Sequence, residues 1–476
     1  MNTLQLYRKL DWPLITCYLI LVISGWLSVF SSVYDPELST GIMDFSQRSG
    51  MQFIWIVSSL IIAALIIFVI NPKVYNVAAW IFYGISIILL LSVLVLGVEV
   101  NGSRSWLVAG PLRIQPAEFS KITTSLALAS LLGGYNFRLK NLTGYWKTAA
   151  VILIPMMLIV MEKETGSALV YLSFTFMLYR EGLSGWVIIL GLIAILLFVI
   201  TLTNSPFISI TILFSIMVIA RGIFTRNLIR HILFLILYLP LIIFSPRLGN
   251  LSISKTISHW PLFIWPLIAV LPPFVYHIIS TFREKKLYMW NILLSSLAYL
   301  ILIFSVNIVF DKVLQEHQKA RIENLLGITE DLQGAGYNVH QSKIAIGSGG
   351  FAGKGFLQGT QTKFNFVPEQ STDFIFCTVG EEYGFMGSLF ILLIYTYMLI
   401  RIISLAEKQK DTFARVYGYC VASVIFLHFF INIGMTIGLV PVIGIPLPFI
   451  SYGGSSLWSF TILLFIFIRL DLERWR

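Results

Sequence analysis

Long apolar runs, separated by short polar or turn-forming stretches, dominate the chain from residue 12 to residue 469. A helix needs roughly 20 mostly apolar residues to cross the ~30 Å hydrocarbon core of a bilayer. Cutting the charge-free runs at turn residues predicts an all-α, polytopic integral membrane protein with about fourteen transmembrane helices. Their approximate positions are 12–32, 51–70, 75–98, 117–133, 147–161, 165–180, 186–203, 206–220, 229–246, 260–280, 288–310, 374–400, 415–438 and 453–469.

Two of the predicted boundaries are weak. The runs at 147–161 and 165–180 are separated only by residues 162–166, and those at 186–203 and 206–220 only by 204–206. Either pair could instead form one broken or re-entrant helix, so the span count near 147–220 stays open.

Lys and Arg are distributed unevenly between the two predicted sides of the membrane. With a cytoplasmic N-terminus, 20 of the 33 Lys and Arg residues fall inside and 13 outside, and six of the 13 lie in the long loop 311–373. Cytoplasmic short loops collect positive charge, but long loops follow this rule poorly, so the useful comparison is 20 against 7. Both termini are therefore predicted to be cytoplasmic. This topology also accounts for the net charge of +10, so no nucleic-acid partner is needed.

The composition excludes several other classes of protein. Hydrophobic residues make up 57% of the chain and charged residues only 12%, too few for a water-covered surface or a disordered tail. Cys17, Cys377 and Cys420 lie in or beside apolar runs without metal-ligand spacing, so they are predicted to be small core residues. No linker or low-complexity tract divides the chain, which indicates one membrane domain over 1–476.

Polar residues concentrate on the predicted outer side, first at 99–121. This segment is rich in turn-forming residues and leads into a helix for which Pro116 suits the first turn. Glu118 and Lys121 are spaced i, i+3 and so share one helical face. They could be an ordinary ion pair at the start of a helix. Because ionisable groups at membrane depth are costly, a functional cavity is the competing hypothesis.

The loop 311–373 carries a glycine-rich stretch from Gly334 to Phe356. It lacks the G-K-[ST] ending and the strand-to-helix context of a nucleotide-binding loop, and it faces away from cytoplasmic ATP. Tight turns over the membrane surface are the plain alternative. Asp373 ends the loop just before an apolar helix, so it could be only the N-cap of that helix.

Two further polar features lie beyond Asp373. Glu381 and Glu382 fall roughly 12 Å deeper along the helix, where acidic residues are either structural partners or proton carriers. Pro441, Pro446 and Pro448 interrupt a charge-free stretch, which predicts irregular backbone in the outer leaflet. Such backbone is tolerated only where protein or a wet cavity satisfies it.

Together these segments resemble the SEDS family (shape, elongation, division and sporulation) of bacterial peptidoglycan glycosyltransferases, over roughly residues 10–200 and 300–470. Within the family the elongation branch is favoured, because the division branch usually has a lysine shortly after the proline matched by Pro441, where this chain has Val442. The motifs that carry the resemblance are Gln115-Pro116-Ala117-Glu118 with Lys121, Gly334-Ala335-Gly336-Tyr337, residues 341–350, Pro368-Glu369 with residues 372–376, Glu381-Glu382, and Pro448-Phe449-Ile450-Ser451-Tyr452-Gly453-Gly454-Ser455-Ser456.

The resemblance implies that the protein polymerises lipid II, a disaccharide-pentapeptide on undecaprenyl diphosphate, at the periplasmic face of the bacterial inner membrane. The family's catalytic aspartate falls on Asp373, which would act as general base. Residues implied or expected to contact substrate are Arg48, Arg104, Trp106, Arg113, Gln115, Glu118, Lys121, Lys343 and Ser451. A divalent cation (Mg²⁺ or Mn²⁺) could share the diphosphate's charge, although no acidic cluster compels a metal site. The implied partners are a class B penicillin-binding protein and other membrane proteins of the elongation complex.

Two departures from the family pattern stand out. Where the family shows Gln-Pro-Asp-Leu-Gly-Thr, this chain has Glu162-Lys163-Glu164-Thr165-Gly166-Ser167. Family members usually have about ten spans, so the region 205–300 is predicted to be an insertion of about four helices. The competing hypothesis for function is a proton-coupled transporter or flippase of a lipid-linked precursor, with Glu118, Lys121, Glu381 and Glu382 as the relay.

Overall fold

The computed structural model describes residues 9–34, 41–100, 103–109, 112–135, 137–204, 206–250, 264–284, 286–312, 316–328, 336–364 and 366–474. These residues divide into two compact units, one formed by Met1–Leu183 with Asp331–Arg476 and the other by Ser184–Glu330. The first unit holds every residue that the sequence analysis assigned to the site. The predicted insertion at 205–300 lies within the second unit and stays a prediction.

The first unit is built from helices that match the predicted apolar runs. Pro116 occupies the first turn of its helix, as predicted. In chain order the helices are α1 (Trp12–Val33), α2 (Arg48–Phe68), α3 (Lys73–Val77), α4 (Ala79–Leu96), α5 (Pro116–Leu132), α6 (Leu142–Met161), α7 (Thr165–Val170), a 3₁₀ turn (Tyr171–Ser173) and α8 (Phe174–Arg180).

The second unit is also helical and contains its own apolar core. Its helices are α9 (Gly185–Thr203), α10 (Pro206–Phe224), α11 (Leu228–Asn250), α12 (Ile264–Glu284), α13 (Leu287–Lys312) and α14 (Glu316–Leu325). The chain then returns to the first unit through α15 (Tyr337–Ser348), α16 (Thr360–Lys363), α17 (Ile375–Glu407), α18 (Thr412–Thr436) and α19 (Gly454–Glu473).

The all-α membrane fold is confirmed, but fourteen transmembrane helices are not. Each of the fourteen predicted runs contains helix, yet within the described residues ten helices are both long and apolar enough to cross a bilayer. Two more, at Leu228–Ile243 and Ile268–Arg283, are apolar but shorter. The predicted run at 165–180 is broken into short pieces, and α5 has 17 residues. Loop 311–373 is not wholly irregular, because α14, α15 and α16 lie within it.

The core of the first unit lies around its last two helices. Within their most apolar windows, 72% of α18 and 83% of α19 is buried, against 28% of α2 and 22% of α4. Helices that expose most of an apolar surface are suited to contact lipid. Helices α18 and α19 therefore form the centre of the first unit.

A small antiparallel sheet occupies part of the segment predicted as a turn-rich loop. It comprises β1 (Val98–Val100), β2 (Ser103–Ala109) and β3 (Leu112–Ile114), in that order. Trp106 lies opposite Val98, and Arg113 opposite Val108. Asn101-Gly102, a strong two-residue hairpin signal, was the clue to the sheet in the sequence.

The glycine-rich stretch packs directly on a break in α17. Gly384 has φ +63° and interrupts the helical conformation. Phe385 and Met386 donate backbone hydrogen bonds to the carbonyls of Gly350 and Phe351, at 2.9 and 3.2 Å. At Gly353 (φ +82°) a Cβ would lie 2.1 Å from the carbonyl oxygen of Glu382, so no other residue fits there. These glycines therefore allow two backbones to approach closely. Gly334 and Ala335 lie outside the described residues.

Candidate active site

Asp373 lies in the turn formed by residues 366–374, called here the Asp373 turn, immediately before α17. The N-cap of α17 is Phe374 rather than Asp373. Asn432 of α18 donates to the backbone carbonyl of Asp373 at 2.8 Å. Gly444 approaches so closely that a Cβ there would lie 3.3 Å from Asp373 Oδ2. The carboxylate is therefore bordered by residues 438–453, the irregular stretch called here the proline segment.

A polar cavity of about 250 Å³ opens beside the Asp373 turn. Arg48, at the start of α2, is its cation, and its side chain is about half exposed. The guanidinium donates to Ser371 Oγ, lies 4.0 Å from the Glu369 carboxylate and 5.8 Å from the centre of the Tyr452 ring. The cavity is lined by Ser32, Val33, Arg48, Val367, Pro368, Glu369, Gln370 and Ser371. Arg48 and the Asp373 turn are thus brought together at this cavity.

Ser451 joins the proline segment to the Asp373 turn. Its hydroxyl donates to the carbonyl of Thr372 at 2.6 Å and accepts from the backbone N–H of Leu447 at 2.8 Å. Glu369 and Phe449, one in each segment, have positive φ of +50° and +67°. Such conformations cost free energy and persist only where the surroundings enforce them. Ser451 is therefore positioned to hold the two strained segments together.

Glu118 and Lys121 form a buried ion pair on α5. The Lys121 ammonium donates to Glu118 Oε1 at 2.8 Å, and both side chains are at most 2% exposed. The ammonium also lies 2.9 Å from His428 Nε2 and 5.3 Å from the centre of the Phe460 ring. The pairing predicted from spacing is present, but Lys121 is enclosed by protein instead of facing the cavity.

The segment that departs from the family pattern packs beside this ion pair. Gln115 and Ser167 both donate to Glu164 Oε1. Glu162 is fully buried, and neither of its carboxylate oxygens has a hydrogen-bond partner among the described residues. Burial, with a smaller contribution from the nearby Glu164, raises the pKa of Glu162 to about 8. Burial likewise raises the pKa of Glu164 to about 7. Both carboxyl groups therefore hold protons more readily than exposed ones.

Three predicted contact residues lie on the small sheet. Arg104 is exposed and pairs with Glu99 at 3.9 Å, while its backbone N–H donates to the carbonyl of Glu162. Trp106 is half-buried, and Arg113 is exposed with its carbonyl accepting from Ser455. These contacts attach the sheet to Glu162 and to α19. They do not place its side chains at the Asp373 turn.

Lys343 lies close to the first residue of the proline segment, Gly438. It is exposed on α15, and a Cβ at Gly438 would lie 2.5 Å from its Nζ. The neighbouring Ser342 donates to the carbonyl of Thr436 at 2.8 Å. α15 is thereby fixed to the end of α18, with the Lys343 ammonium next to the start of the proline segment.

Glu381 has the contacts of a structural partner. It is fully buried and accepts from Lys354 Nζ at 2.7 Å and from the backbone N–H groups of Gln361 and Thr362 at 2.8 and 2.9 Å. Glu382 accepts from Ser31 Oγ and from the N–H of Leu357. Both glutamates anchor loop 311–373, which leaves Glu381 poorly suited to carry protons.

No metal site emerges from the described part of the chain. Within those residues, no group of three His, Cys, Asp or Glu side chains is arranged to hold a metal ion. The geometry therefore names no protein ligands for a divalent cation.

Two functional candidates escaped the sequence analysis. His428 and Asn432 on α18 are both fully buried and contact the proline segment. Each is an isolated polar residue in an apolar run, but their i, i+4 spacing places them on one helical face. The i, i+4 spacing of these two polar residues was the signal by which the sequence could have identified them.

Comparison with known proteins identifies relatives along nearly the whole chain. The family model for FtsW, RodA and SpoVE, described as a cell cycle protein, matches residues 11–214 and 285–475. Peptidoglycan glycosyltransferase RodA of Treponema pallidum is 30% identical over 450 residues, which cover 94% of both chains. Peptidoglycan glycosyltransferase MrdB of Escherichia coli K12 is 30% identical over 391 residues, 82% of this chain and 76% of the relative.

Solved structures share the fold. A chain from a study of the structural coordination of polymerization and crosslinking by a peptidoglycan synthase complex aligns over 98% of this chain and 99% of its own, with TM-score 0.61 and 24% identity. The rod shape determining protein RodA of Thermus thermophilus aligns over 98% of both chains, with TM-score 0.53 and 21% identity. The two stretches matched by the family model make up most of the sequence. The chain therefore belongs to the SEDS family, the family of FtsW, RodA and SpoVE.

Proposed function

We propose that this multi-pass membrane protein is a peptidoglycan glycosyltransferase of the RodA type, which polymerises lipid II into glycan strands during cell elongation. Relatives named as peptidoglycan glycosyltransferases, aligned over 94% and 82% of the chain, support the activity. The structural observation that carries the assignment is the position of Asp373, in a turn whose preceding residues line a polar cavity with Arg48. The transporter hypothesis loses support because Glu381 is held by the outer loop.

The proposed chemistry assigns different tasks to Asp373 and Arg48. Asp373 accepts the proton of the acceptor sugar's 4-hydroxyl as that oxygen attacks the anomeric carbon of the donor. The carbon inverts, and the bond to the lipid diphosphate breaks. Arg48 is half exposed on the cavity and is suited to stabilise the departing diphosphate by charge. Lys121 is already neutralised by Glu118, so its contribution is through structure.

The proposed site faces the periplasm, with both chain termini in the cytoplasm of the bacterial cell. The supporting observation is the excess of Lys and Arg in the predicted inside segments. Ser348, which is exposed at the end of α15, offers the test. Ser348→Cys should react with an impermeant thiol reagent in intact spheroplasts. Reaction only after lysis would contradict the orientation.

We further propose a class B penicillin-binding protein, which crosslinks the strands, as a partner within a larger elongation complex of membrane proteins. The solved chain with TM-score 0.61 comes from work on a complex that coordinates polymerization and crosslinking. Co-purification from membranes with the cognate transpeptidase tests this proposal. Separation of the two proteins under mild detergent conditions that preserve polymerase activity would contradict it.

The direct test of function is a reconstituted reaction. Purified protein in detergent, given lipid II, should produce glycan polymer that a gel resolves by length. A parallel liposome assay should detect no movement of labelled lipid II between leaflets. Leaflet exchange without polymer would favour the transporter hypothesis and overturn the proposal.

A further inference from the structure

His428 and Asn432 connect the buried ion pair to the backbone around Asp373. Both lie on one face of α18 and are fully buried. His428 Nδ1 lies 3.2 Å from the carbonyl oxygen of Pro446. Asn432 Nδ2 donates to the carbonyl of Ile445 at 2.7 Å and to that of Asp373 at 2.8 Å. One helical face therefore contacts two consecutive carbonyls of the proline segment.

The partners of His428 fix its protonation state. A lysine ammonium can only donate, so Nε2, 2.9 Å from Lys121 Nζ, must accept. A carbonyl can only accept, so Nδ1 must carry the proton that it shares with Pro446. The imidazole is therefore neutral, with its proton on Nδ1. In this form it links Lys121 to the proline segment, and its ring packs edge-on against Phe460 at 4.8 Å.

The proline segment in turn borders the proposed base. Gly444 has φ +76° and its Cα lies so near Asp373 that an added Cβ would be 3.3 Å from Oδ2. The two carbonyls contacted by His428 and Asn432 follow directly after Gly444 in the chain. A shift of residues 445–446 would therefore move the wall against which the Asp373 carboxylate rests.

We propose that His428 and Asn432 are positioning residues for the polymerase reaction: they hold residues 444–446 against Asp373, and His428 couples this contact to the Lys121–Glu118 pair. The inference rests on the proposed function. Misplacing a reacting group by about 1 Å can cost about 100-fold in rate. The loss should therefore appear mainly in kcat, because neither side chain lines the cavity beside Arg48.

Two substitutions separate the two hydrogen bonds of His428. The amide nitrogen of His428→Asn can take the place of Nδ1 and donate to Pro446, but the side chain is too short to reach Lys121. The longer His428→Gln can accept from Lys121 in place of Nε2 but loses the bond to Pro446. His428→Phe loses both bonds while keeping an aromatic ring against Phe460. His231→Phe, in the second unit, controls for replacing a histidine by an aromatic ring.

The assay measures kcat and KM for lipid II together with the melting temperature of each purified variant. We expect His428→Gln and His428→Phe to lower kcat about 10- to 100-fold with KM changed less than about threefold, and His428→Asn, which gives up only the bond to Lys121, to lose less than either. Asn432→Leu should resemble His428→Phe. The control should match the wild type.

Three outcomes would overturn the inference. The first is full kcat in His428→Phe. The second is an equal loss in the Asn, Gln and Phe variants, because the bond to Pro446 would then not matter. The third is a kcat loss that follows the melting temperature across variants, since a purely structural role predicts it. A wild-type protein that makes no polymer would instead refute the proposed function, so the two failures are distinguishable.

Discussion

The two units differ sharply in the side chains that they bury. The first unit buries ionisable groups on several helices and loops, namely Asp11, Glu118, Lys121, Glu162, Glu381, Glu382, His428, Arg469 and Asp471. Among the described side chains of the second unit, His277 is the only Asp, Glu, Lys, Arg or His that is buried. The core of that unit is otherwise aliphatic and aromatic, with a few hydroxyl groups. Ionisable groups inside a membrane protein are expensive, so they persist where they serve a site. The comparison supports placing the proposed chemistry in the first unit.

Within the first unit, buried carboxylates are treated in two ways. Glu381 receives hydrogen bonds from an ammonium and two backbone N–H groups. Glu162 has no such partner within the described residues. A buried charge is tolerated when it is paired and hydrogen-bonded, and otherwise the group takes up a proton. The hydrogen bonds to Glu381 hold loop 311–373 in place, whereas Glu162, without a partner among the described residues, should make the stability of the protein depend on pH.

The largest effect should come from Asp373→Asn. The substitution removes the proton acceptor at nearly constant size, and loss of a positioned base typically costs ~10² to 10⁴ in rate. Polymer formation from lipid II is the measurement. Asp411→Asn is a matched control, because Asp411 is an N-cap whose carboxylate accepts from Phe413 N–H, and asparagine caps about as well. Near wild-type activity in a folded Asp373→Asn variant would remove Asp373 from the chemistry.

Lys354→Met should give the next largest effect, on stability. It removes the ammonium from the buried Glu381 carboxylate, and a hydrogen bond to a charged group contributes about 1.5–3 kcal/mol. The melting temperature in detergent should fall clearly. Lys363→Met, in the same loop 311–373, should change stability by less than ~0.5 kcal/mol. Adding Glu381→Gln to Lys354→Met should restore part of the loss, and a further drop would contradict the pairing.

Glu162→Gln should alter how stability depends on pH. Because the pKa of Glu162 rises from its ordinary 4.5 to about 8 on folding, the native state binds more protons than the unfolded state between these values. The free energy of unfolding therefore falls as pH rises through this interval. The wild-type melting temperature should drop from pH 5 to pH 8 by more than that of Glu162→Gln. Glu99→Gln, at an exposed carboxylate, should keep the wild-type slope, and identical slopes in all three proteins would refute the shift.

The sequence predicted the helices better than the site. Apolar runs identify the helices because both burial and contact with lipid require apolar side chains. Pro116 marked the start of α5 correctly. The sequence analysis missed the break in α17 at Gly384, because only the contacts of Gly384 with the glycine-rich stretch distinguish it from an ordinary helical residue. Motifs and spacing in the sequence singled out Asp373, Arg48 and the Glu118–Lys121 pair as candidate site residues. The enclosure of Lys121 by His428 and Phe460 depends on distant parts of the chain, which no local pattern encodes.

The smallest effect is expected in the second unit. Arg221 is its counterpart to Arg48: the guanidinium lies 2.9 Å from His277 Nδ1 and 5.0 Å from the centre of the Tyr276 ring. These contacts are complete within the unit, and no residue of the proposed site belongs to it. Arg221→Gln should therefore leave the polymerisation rate within about twofold of wild type, measured per amount of folded protein. Arg48→Gln, the same substitution at the cavity, should lower the rate at least tenfold: a positioned donor to a developing charge in a dry site contributes about 100- to 1,000-fold, and the half exposure of Arg48 reduces that contribution. Equal losses in the two variants would show that the second unit takes part in catalysis and would end the division of labour inferred from the buried groups.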